Sequence, residues 1–512
     1  MFIGLDVGTS AVKAVAIRGD GRIAGRAAHE YSYSTPQPGW AEVVPEVWWD
    51  ASCQALQQLT SLLGKSAADI AGLGLTGQMH GLVALDRRGF PLRGAIMWND
   101  QRTATQCAEF ESRIGQERIA ALTGNRLLPG FTAGKLLWMK EHERKHYDRI
   151  STILLPKDFV RLRLSGVCAT DVTDASGTLL FDCRNRRWSL QMISALHLNV
   201  GILPPVHESC AVCAQVTAEA AAKTGLPVGT PIVAGAGDQA ASAIGCGVVG
   251  PGAVSCTIGT SGVVFAASES FRSTPDGNVH AFCHAAPGSW HLMAVMLSAG
   301  GSLQWFRDTL CADLVALAKA KRCNPAGLIM EEAATAPPGA DGLLFLPYLT
   351  GERSPHADPH ARGAFVGLST AHTRAHLARA VVEGITFGLA DCLDAVRGAG
   401  VTPSGPIRLA GGGSYSAWWR QLCADTFDCR VAGVSAADST ALGAALLSAV
   451  GAGAFASVKE AAQAAAEVGQ PSDPNTDTCA ALSRSRRQYQ ALYQDLRHRF
   501  SAMAQRGGAA PC

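Results

Sequence analysis

Apolar runs joined by a Gly-Thr-Ser corner occur twice in this chain. The first is Ile3-Gly4-Leu5-Asp6-Val7-Gly8-Thr9-Ser10, continued by the apolar run 11–17, and its short β-like flanks predict a hairpin. The second is 255–265, with Gly259-Thr260-Ser261 at the corner. The corners lie 259 − 8 = 251 residues apart in a chain of 512. A unit that recurs at half length points to duplication. Around these hairpins the pattern predicts strands at 22–29, 70–76, 153–155, 231–234, 343–349 and 407–410. It predicts helices from Pro45 toward Leu63, over 103–119, 131–147, 303–310 and 376–399, and over the small-residue run 441–450. Gly300-Gly301-Ser302 reads as a loop before its helix. Tyr489, Leu492, Tyr493, Leu496 and Phe500 fall on one face of a last helix, and 502–512 is expected to fray. Strands alternating with helices make this an α/β chain.

The corners carry chemistry. Asp6 sits just before the first turn, whose N–H groups and hydroxyls suit an anion, and Lys13 follows. A carboxylate beside a phosphate-sized nest makes sense when a metal ion holds the two together. Taken alone, the stretch is equally an ordinary hairpin with a half-exposed Asp. The second corner has Cys256 or Thr257 where the first has Asp6. The halves are thus alike in shape and unequal in chemistry. Two phosphate-gripping hairpins facing each other across a cleft are expected.

Further polar groups gather where strands end, the usual place for ligands in α/β sheets. The strand at 70–76 delivers Gly77-Gln78-Met79-His80-Gly81, and Trp98-Asn99-Asp100 follows. An apolar ring with donors and acceptors beside it suits a polyhydroxylated ligand. Singly, His80 is as well read as a satisfied turn histidine and Trp98 as core. The strand at 231–234 runs into Gly235-Ala236-Gly237-Asp238, where small residues let backbone approach a ligand closely. Asp238 is either a helix N-cap or a general base. The polar stretch 171–181 is expected over the cleft. Gly411, Gly412 and Gly413 are expected to open a helix and to let a flat or anionic group lie on bare backbone.

Composition narrows the classes. So long a chain needs two or more domains. A net charge of +2 gives no broad pull toward nucleic acid or anionic membrane. No basic n-region precedes an apolar core at the start, so no signal peptide is expected. The uncharged stretches 239–268 and 439–458 are rich in Gly, Ala and Ser and read as tightly packed interior rather than membrane spans. Sixteen scattered cysteines suit small core residues in a reducing cytoplasm. Cys210 and Cys213 form a lone CxxC with no second pair at zinc spacing.

Together these stretches resemble the FGGY carbohydrate kinases. Two longer patterns support the resemblance: Gly130-x-Thr132-x-x-Lys135-Leu136-x-Trp138-Met139-x-Glu141-His142, and Gly363-x-Phe365-x-Gly367-Leu368 followed by His376-Leu377-x-x-Ala380-Val381-Val382-Glu383. The resemblance implies two duplicated actin-like, hexokinase-like (ribonuclease H-like) lobes with a central cleft, at 1–242 and 243–500. Within the family, Gly77 to Gly81, Trp98-Asn99-Asp100, Leu155-Pro156-Lys157-Asp158 and Phe282-Cys283-His284-Ala285 are similar to bacterial xylulose kinases. Glycerol kinases would carry Arg-Glu at Met79-His80. The implied reaction is transfer of phosphate from ATP to D-xylulose, with Mg²⁺ as cofactor. The implied base is Asp238, and Asp6 would hold Mg²⁺ and be needed for activity. Gln78, Met79, His80, Trp98 and Asn99 would contact the sugar. Gly8, Thr9, Ser10, Lys13, Gly259, Thr260 and Gly411 to Gly413 would line the nucleotide site. Gln239 stands where Asn is expected, and Asp438-Ser439-Thr440 replaces a turn richer in Gly or Ala. By analogy alone, a homodimer is one option for assembly; no nucleic acid or membrane partner is expected.

Overall fold

The computed structural model describes residues 1–435 and 438–506, the last three as backbone only. The chain divides into two compact units. Unit 1 comprises Met1–Pro251, Ala267–His291 and Ala436–Ala466; unit 2 comprises Gly252–Ala266, Leu292–Ser435 and Glu467–Cys512.

In unit 1, β1 (Phe2–Val7), β2 (Ala11–Ile17) and β3 (Ile23–Glu30) form an antiparallel meander. β4 (Gly72–Gly77) lies parallel to β1 on its other side. β5 (Val212–Gln215) and β6 (Pro231–Val233) extend the sheet beyond β4. Both faces are covered, so the central strands are apolar almost throughout. Ile3, Leu5, Val7, Leu73 and Leu75 pack with Trp48, Leu56 and Leu59 of the helix Pro45–Leu63. That helix begins at its proline, where a missing N–H costs nothing.

The opposite face explains the run of small residues. Gly4 and Gly74 are register partners on β1 and β4. A Cβ on Gly4 would lie 1.8 Å from the Ala441 carbonyl oxygen, and one on Gly74 would lie 1.9 Å from that of Ala444. The helix Ser439–Gly451 therefore rests its backbone directly on the sheet, and Gly443 meets the Ala241 carbonyl of the helix Asp238–Gly245 as closely, at 1.9 Å. Among the described residues no helix is long and apolar enough to cross a membrane. Gly74→Ala forces backbone apart rather than moving a side chain, and we expect it to cost about 3 kcal/mol. Gly19→Ala, where nothing lies within 4 Å of the added carbon, should change stability little. Urea denaturation of the two variants checks this.

Unit 2 repeats the plan. β7 (Val254–Ile258) and β8 (Gly262–Ser268) form a hairpin, and β9 (Ile407–Gly411) runs parallel to β7. β10 (Val431–Val434) is parallel to β9, and β11 (Val468–Ser472) closes antiparallel to β10. The duplication is exact enough that Gly77 and Gly411 are equivalent: each faces the last residue of a first strand, Val7 or Ile258. The corners differ. Residues 8–11 lie between the last paired residues, Val7 and Val12, in unit 1, whereas only 259–261 lie between Ile258 and Gly262 in unit 2.

Several expected boundaries move. The helix expected from Leu303 starts at Gly300, because the N–H groups of Gly300 and Gly301 donate to the Gly259 and Thr260 carbonyls of the hairpin corner. Gly411 ends β9, and Gly412–Tyr415 is a 3₁₀ turn. The helix Ala417–Phe427 begins only afterwards, with the Ser416 hydroxyl accepting from the Trp419 N–H at 3.2 Å. The predicted helices 103–119 and 131–147 each break once, at Gly115 and Glu143. The last helix, Thr476–Arg506, buries Leu482, Tyr489, Tyr493 and Phe500 on one face and continues past the point expected to fray; 507–512 lie outside the described residues. All fifteen described cysteines are free thiols.

Candidate active site

The unit 1 corner is held by its carbonyl. Gly8 O accepts from the Tyr31 hydroxyl and from Gln78 Nε2 at 3.0 Å, and Tyr31 in turn accepts from Trp48 Nε1 at 3.0 Å. The Gly8 N–H is taken up by Ala11 O. The amides of Thr9 and Ser10 are thus the ones this corner can present to an anion. Thr9 Oγ1 also accepts from Trp98 Nε1 at 3.0 Å, which ties the partly exposed Trp98 ring to the corner.

Asp6 lies across the hairpin from Lys13 and beside Thr76 of β4. Its Oδ1 is buried without a hydrogen-bond partner. Burial first, and then the charge of Asp238, push its carboxyl up to about 7, against the pull of Lys13. Lys13 instead leans 3.9 Å from Asp438, which Arg26 also bonds at 3.0 Å. An unpartnered carboxylate oxygen in an acidic surround fits a cation. Among the described residues no three His, Cys, Asp or Glu side chains cluster to hold a metal.

Asp238 is the first residue of its helix; Gly237, not Asp238, is the cap. Gly235, at φ +78°, lets the chain pass within a Cβ's 1.9 Å of the Leu75 carbonyl. The two-residue strand Ala236–Gly237 then pairs with Thr76 and Gly77 of β4. Asp238 therefore leaves the same sheet edge as Asp6, and Asp6 feels its charge. Desolvation raises the Asp238 carboxyl to about 6, against the Gln239 N–H and side chain that favour the ionised form.

Met79 is buried against Gly237, where a Cβ would come within 2.8 Å of Met79 Cγ. His80 has a left-handed backbone, φ 67°. Its Nδ1 lies 2.7 Å from Gly177 O, which can only accept, so Nδ1 carries the proton. Its ring packs 4.4 Å from that of Phe131. Gln78 is buried with Oε1 unpartnered, and so is Asn99 Oδ1. Asp100 is not available to a ligand: its carboxylate accepts from Ala41 N at 2.6 Å and from Arg102.

Unit 2 has a cavity of about 730 Å³ lined by Gly259, Thr260, Gly300, Gln304, Gly412 and Trp418, among others. Gly411 is at φ +81°, and a Cβ there would sit 2.4 Å from Ile258 O. Bare backbone on one side and indole on the other suits a flat heterocycle with polar edges.

A family model for the N-terminal domain of the FGGY family of carbohydrate kinases matches residues 1–245, and one for the C-terminal domain matches 254–452. The chain belongs to the FGGY family of carbohydrate kinases. It is 40% identical over 500 residues to a xylulose kinase of Escherichia coli strain K12, covering 97% of this chain and 99% of that one. It is 39% identical to a xylulose kinase of Bacillus subtilis strain 168, covering 90% of each. A crystal structure of xylulose kinase from Rhodospirillum rubrum superposes with a TM-score of 0.91 at 31% identity, covering 98% of this chain and 99% of that one. The fold of this FGGY kinase is thus the two-domain, actin-like ATPase fold.

The stretch 130–142 ties down both of the loops at His80 and Trp98. Thr132 Oγ1 and Lys135 Nζ both donate to His80 O, at 3.1 and 2.8 Å. Gly130, at φ +93°, is pressed against the Trp98 carbonyl, 2.4 Å from where a Cβ would stand. One stretch therefore positions both loops that carry the candidate sugar contacts. Lys135 is fully buried, which lowers its ammonium to about 7 despite Asp100. The stretch 171–181, polar in sequence, is interior to unit 1. Asp171, Thr173, Asp174 and Ser176 are fully buried: Lys157 pairs with Asp171 and Asp174, Thr173 bonds Asp171, and the Ser176 hydroxyl donates to Val172 O and accepts from Cys283 N.

Proposed function

We propose that this FGGY kinase transfers the terminal phosphoryl group of ATP to the primary hydroxyl of D-xylulose, giving D-xylulose 5-phosphate in the cytoplasm, with Asp238 as general base. The observation that carries the chemistry is the pair of carboxylates at one sheet edge, Asp6 and Asp238, whose carboxyl groups burial raises to about 7 and about 6. A base near pKa 6 is ionised at neutral pH yet still takes a proton usefully. The sugar assignment rests on the xylulose kinases at 39–40% identity over most of both chains.

Phosphoryl transfer passes through a loose transition state, so the protein mainly positions groups and balances charge. His80, Met79, Gln78, Asn99 and Trp98 orient the sugar. Asp238 receives the hydroxyl proton as its oxygen attacks phosphorus in line. The corner amides at Thr9 and Ser10, with Lys13, meet the phosphates. The unit 2 cavity, with Gly259, Thr260, Gly412 and Gly413 in its lining and Gly411 just before them, receives the nucleoside. Mg²⁺ would be held by Asp6 and would neutralise phosphate charge.

ADP release with D-xylulose, ribulose, a pentitol, glycerol and gluconate, with and without Mg²⁺, tests this. D-xylulose should exceed each other acceptor in kcat/KM by about tenfold or more, since buried polar groups left unpaired by the wrong acceptor cost that much. A clear preference for ribulose or a pentitol would reassign the acceptor. Equal ADP release with and without sugar would indicate a nucleotide-switched scaffold and overturn the proposal.

A further inference from the structure

Behind Asp238 lies a fully buried ionic cluster that the chemistry above does not use. Lys157 Nζ bonds Asp158 at 2.6 Å and forms ion pairs with Asp171 at 2.7 Å and Asp174 at 3.1 Å. Arg161 bonds Asp158 and Ala169 O, each at 2.6 Å, and also Ala234 O. All five charged side chains are fully buried. Burial pushes Asp174 well above the usual carboxylate range, beyond what Lys157 can offset. Burying such a group is costly unless every member is satisfied, so its place in the fold calls for a reason.

The reason is visible in one chain of bonds. Asp171 Oδ2 takes Lys157, while Oδ1 accepts from the Thr173 hydroxyl at 2.5 Å and the Thr173 amide at 2.7 Å. With its proton turned to Asp171, Thr173 Oγ1 is left as an acceptor, and it accepts from Gly237 N at 2.8 Å. Gly237 immediately precedes Asp238. On its other side it is pressed against Met79, with no room for a Cβ. Arg161 grips Ala234 O three residues earlier. The short segment that carries the base is thus clamped at both ends from the same cluster.

We propose that Thr173, oriented by the Lys157–Asp171 pair, is a positioning residue for Asp238: it fixes the Gly237 amide and through it the angle at which the carboxylate meets the acceptor hydroxyl. This rests on the assignment of Asp238 as base. Small misplacements of a reacting group cost on the order of 10- to 10²-fold in rate. Thr173→Val keeps shape and loses the acceptor; Thr173→Ser keeps the acceptor and loses a methyl group.

The test measures kcat, the KM values for ATP and sugar, and melting temperature for both variants, beside Asp238→Asn. Thr173→Val should lower kcat about tenfold or more, with the KM for ATP unchanged, and Thr173→Ser should restore most of the loss. Wild-type kcat in Thr173→Val, with Asp238→Asn inactive, overturns the positioning role and leaves the base assignment standing. Equal losses in both Thr173 variants overturn it as well, since that pattern reports packing. Activity surviving in Asp238→Asn overturns the base assignment itself.

Discussion

Asp238→Asn should cut sugar-dependent ADP release about 10²- to 10⁴-fold, the usual worth of a positioned general base. Binding of a non-hydrolysable ATP analogue should change less than about twofold, because the assigned nucleotide contacts lie elsewhere. The substitution keeps the side chain's size and its hydrogen bond to the Gln239 amide, so folding should be preserved. The wild-type pH profile gives an independent check. Asp238 acts as a base only when ionised, and its carboxyl is raised to about 6. With Mg²⁺ and ATP saturating, so that Asp6 is held ionised, sugar-dependent kcat/KM should therefore be flat above neutrality and fall as pH drops through about 6. Near-normal turnover in the variant would remove Asp238 from the mechanism. An acid limb near 4 would show that burial does not raise the carboxyl in solution.

What could be read from the chain alone followed the range of each interaction. The two Gly-Thr-Ser hairpins, the Pro45 helix and the one-sided last helix were legible because their signals are local: turn composition, an N-terminal proline, apolar spacing. The small-residue helix was legible as close packing, though nothing in its sequence says that it lies on Gly4 and Gly74. Non-local contacts were not legible. Gly300 joins its helix only because the hairpin corner offers carbonyls forty residues away in sequence. Nothing local in the polar stretch 171–181 shows that its acids are buried; their partner, Lys157, comes from another element. Asp100 stood beside Asn99 with equal promise as a ligand group, yet Arg102 and the Ala41 amide occupy it. Lys135 and Thr132 were visible as parts of a pattern, but their task, holding one carbonyl of His80, exists only in three dimensions.

Asp6→Asn should abolish sugar phosphorylation and at the same time stabilise the ligand-free protein. The Asp6 carboxyl is raised from 3.8 to about 7, by burial first and by the Asp238 charge second. A raised carboxyl binds its proton more tightly when folded than when unfolded, so ionising it works against the fold. That cost is absent below about pH 4, grows between the two values and is complete above about pH 7. An amide cannot ionise and escapes it. The variant should therefore match the wild type at pH 4 and exceed it at pH 8, by about 1–3 kcal/mol once partial exposure is allowed for. Added Mg²⁺ with ATP should raise the melting temperature of the wild type more than that of the variant, since a cation relieves what the substitution has already removed. Rescue of activity by high Mg²⁺ would show the carboxylate to be dispensable. A variant less stable than the wild type at pH 8 would mean that Asp6 is satisfied within the fold. Its unpartnered Oδ1 argues the opposite: under the role proposed for Asp6, a destabilising charge at this corner is what a carboxylate kept for catalysis rather than for folding should show.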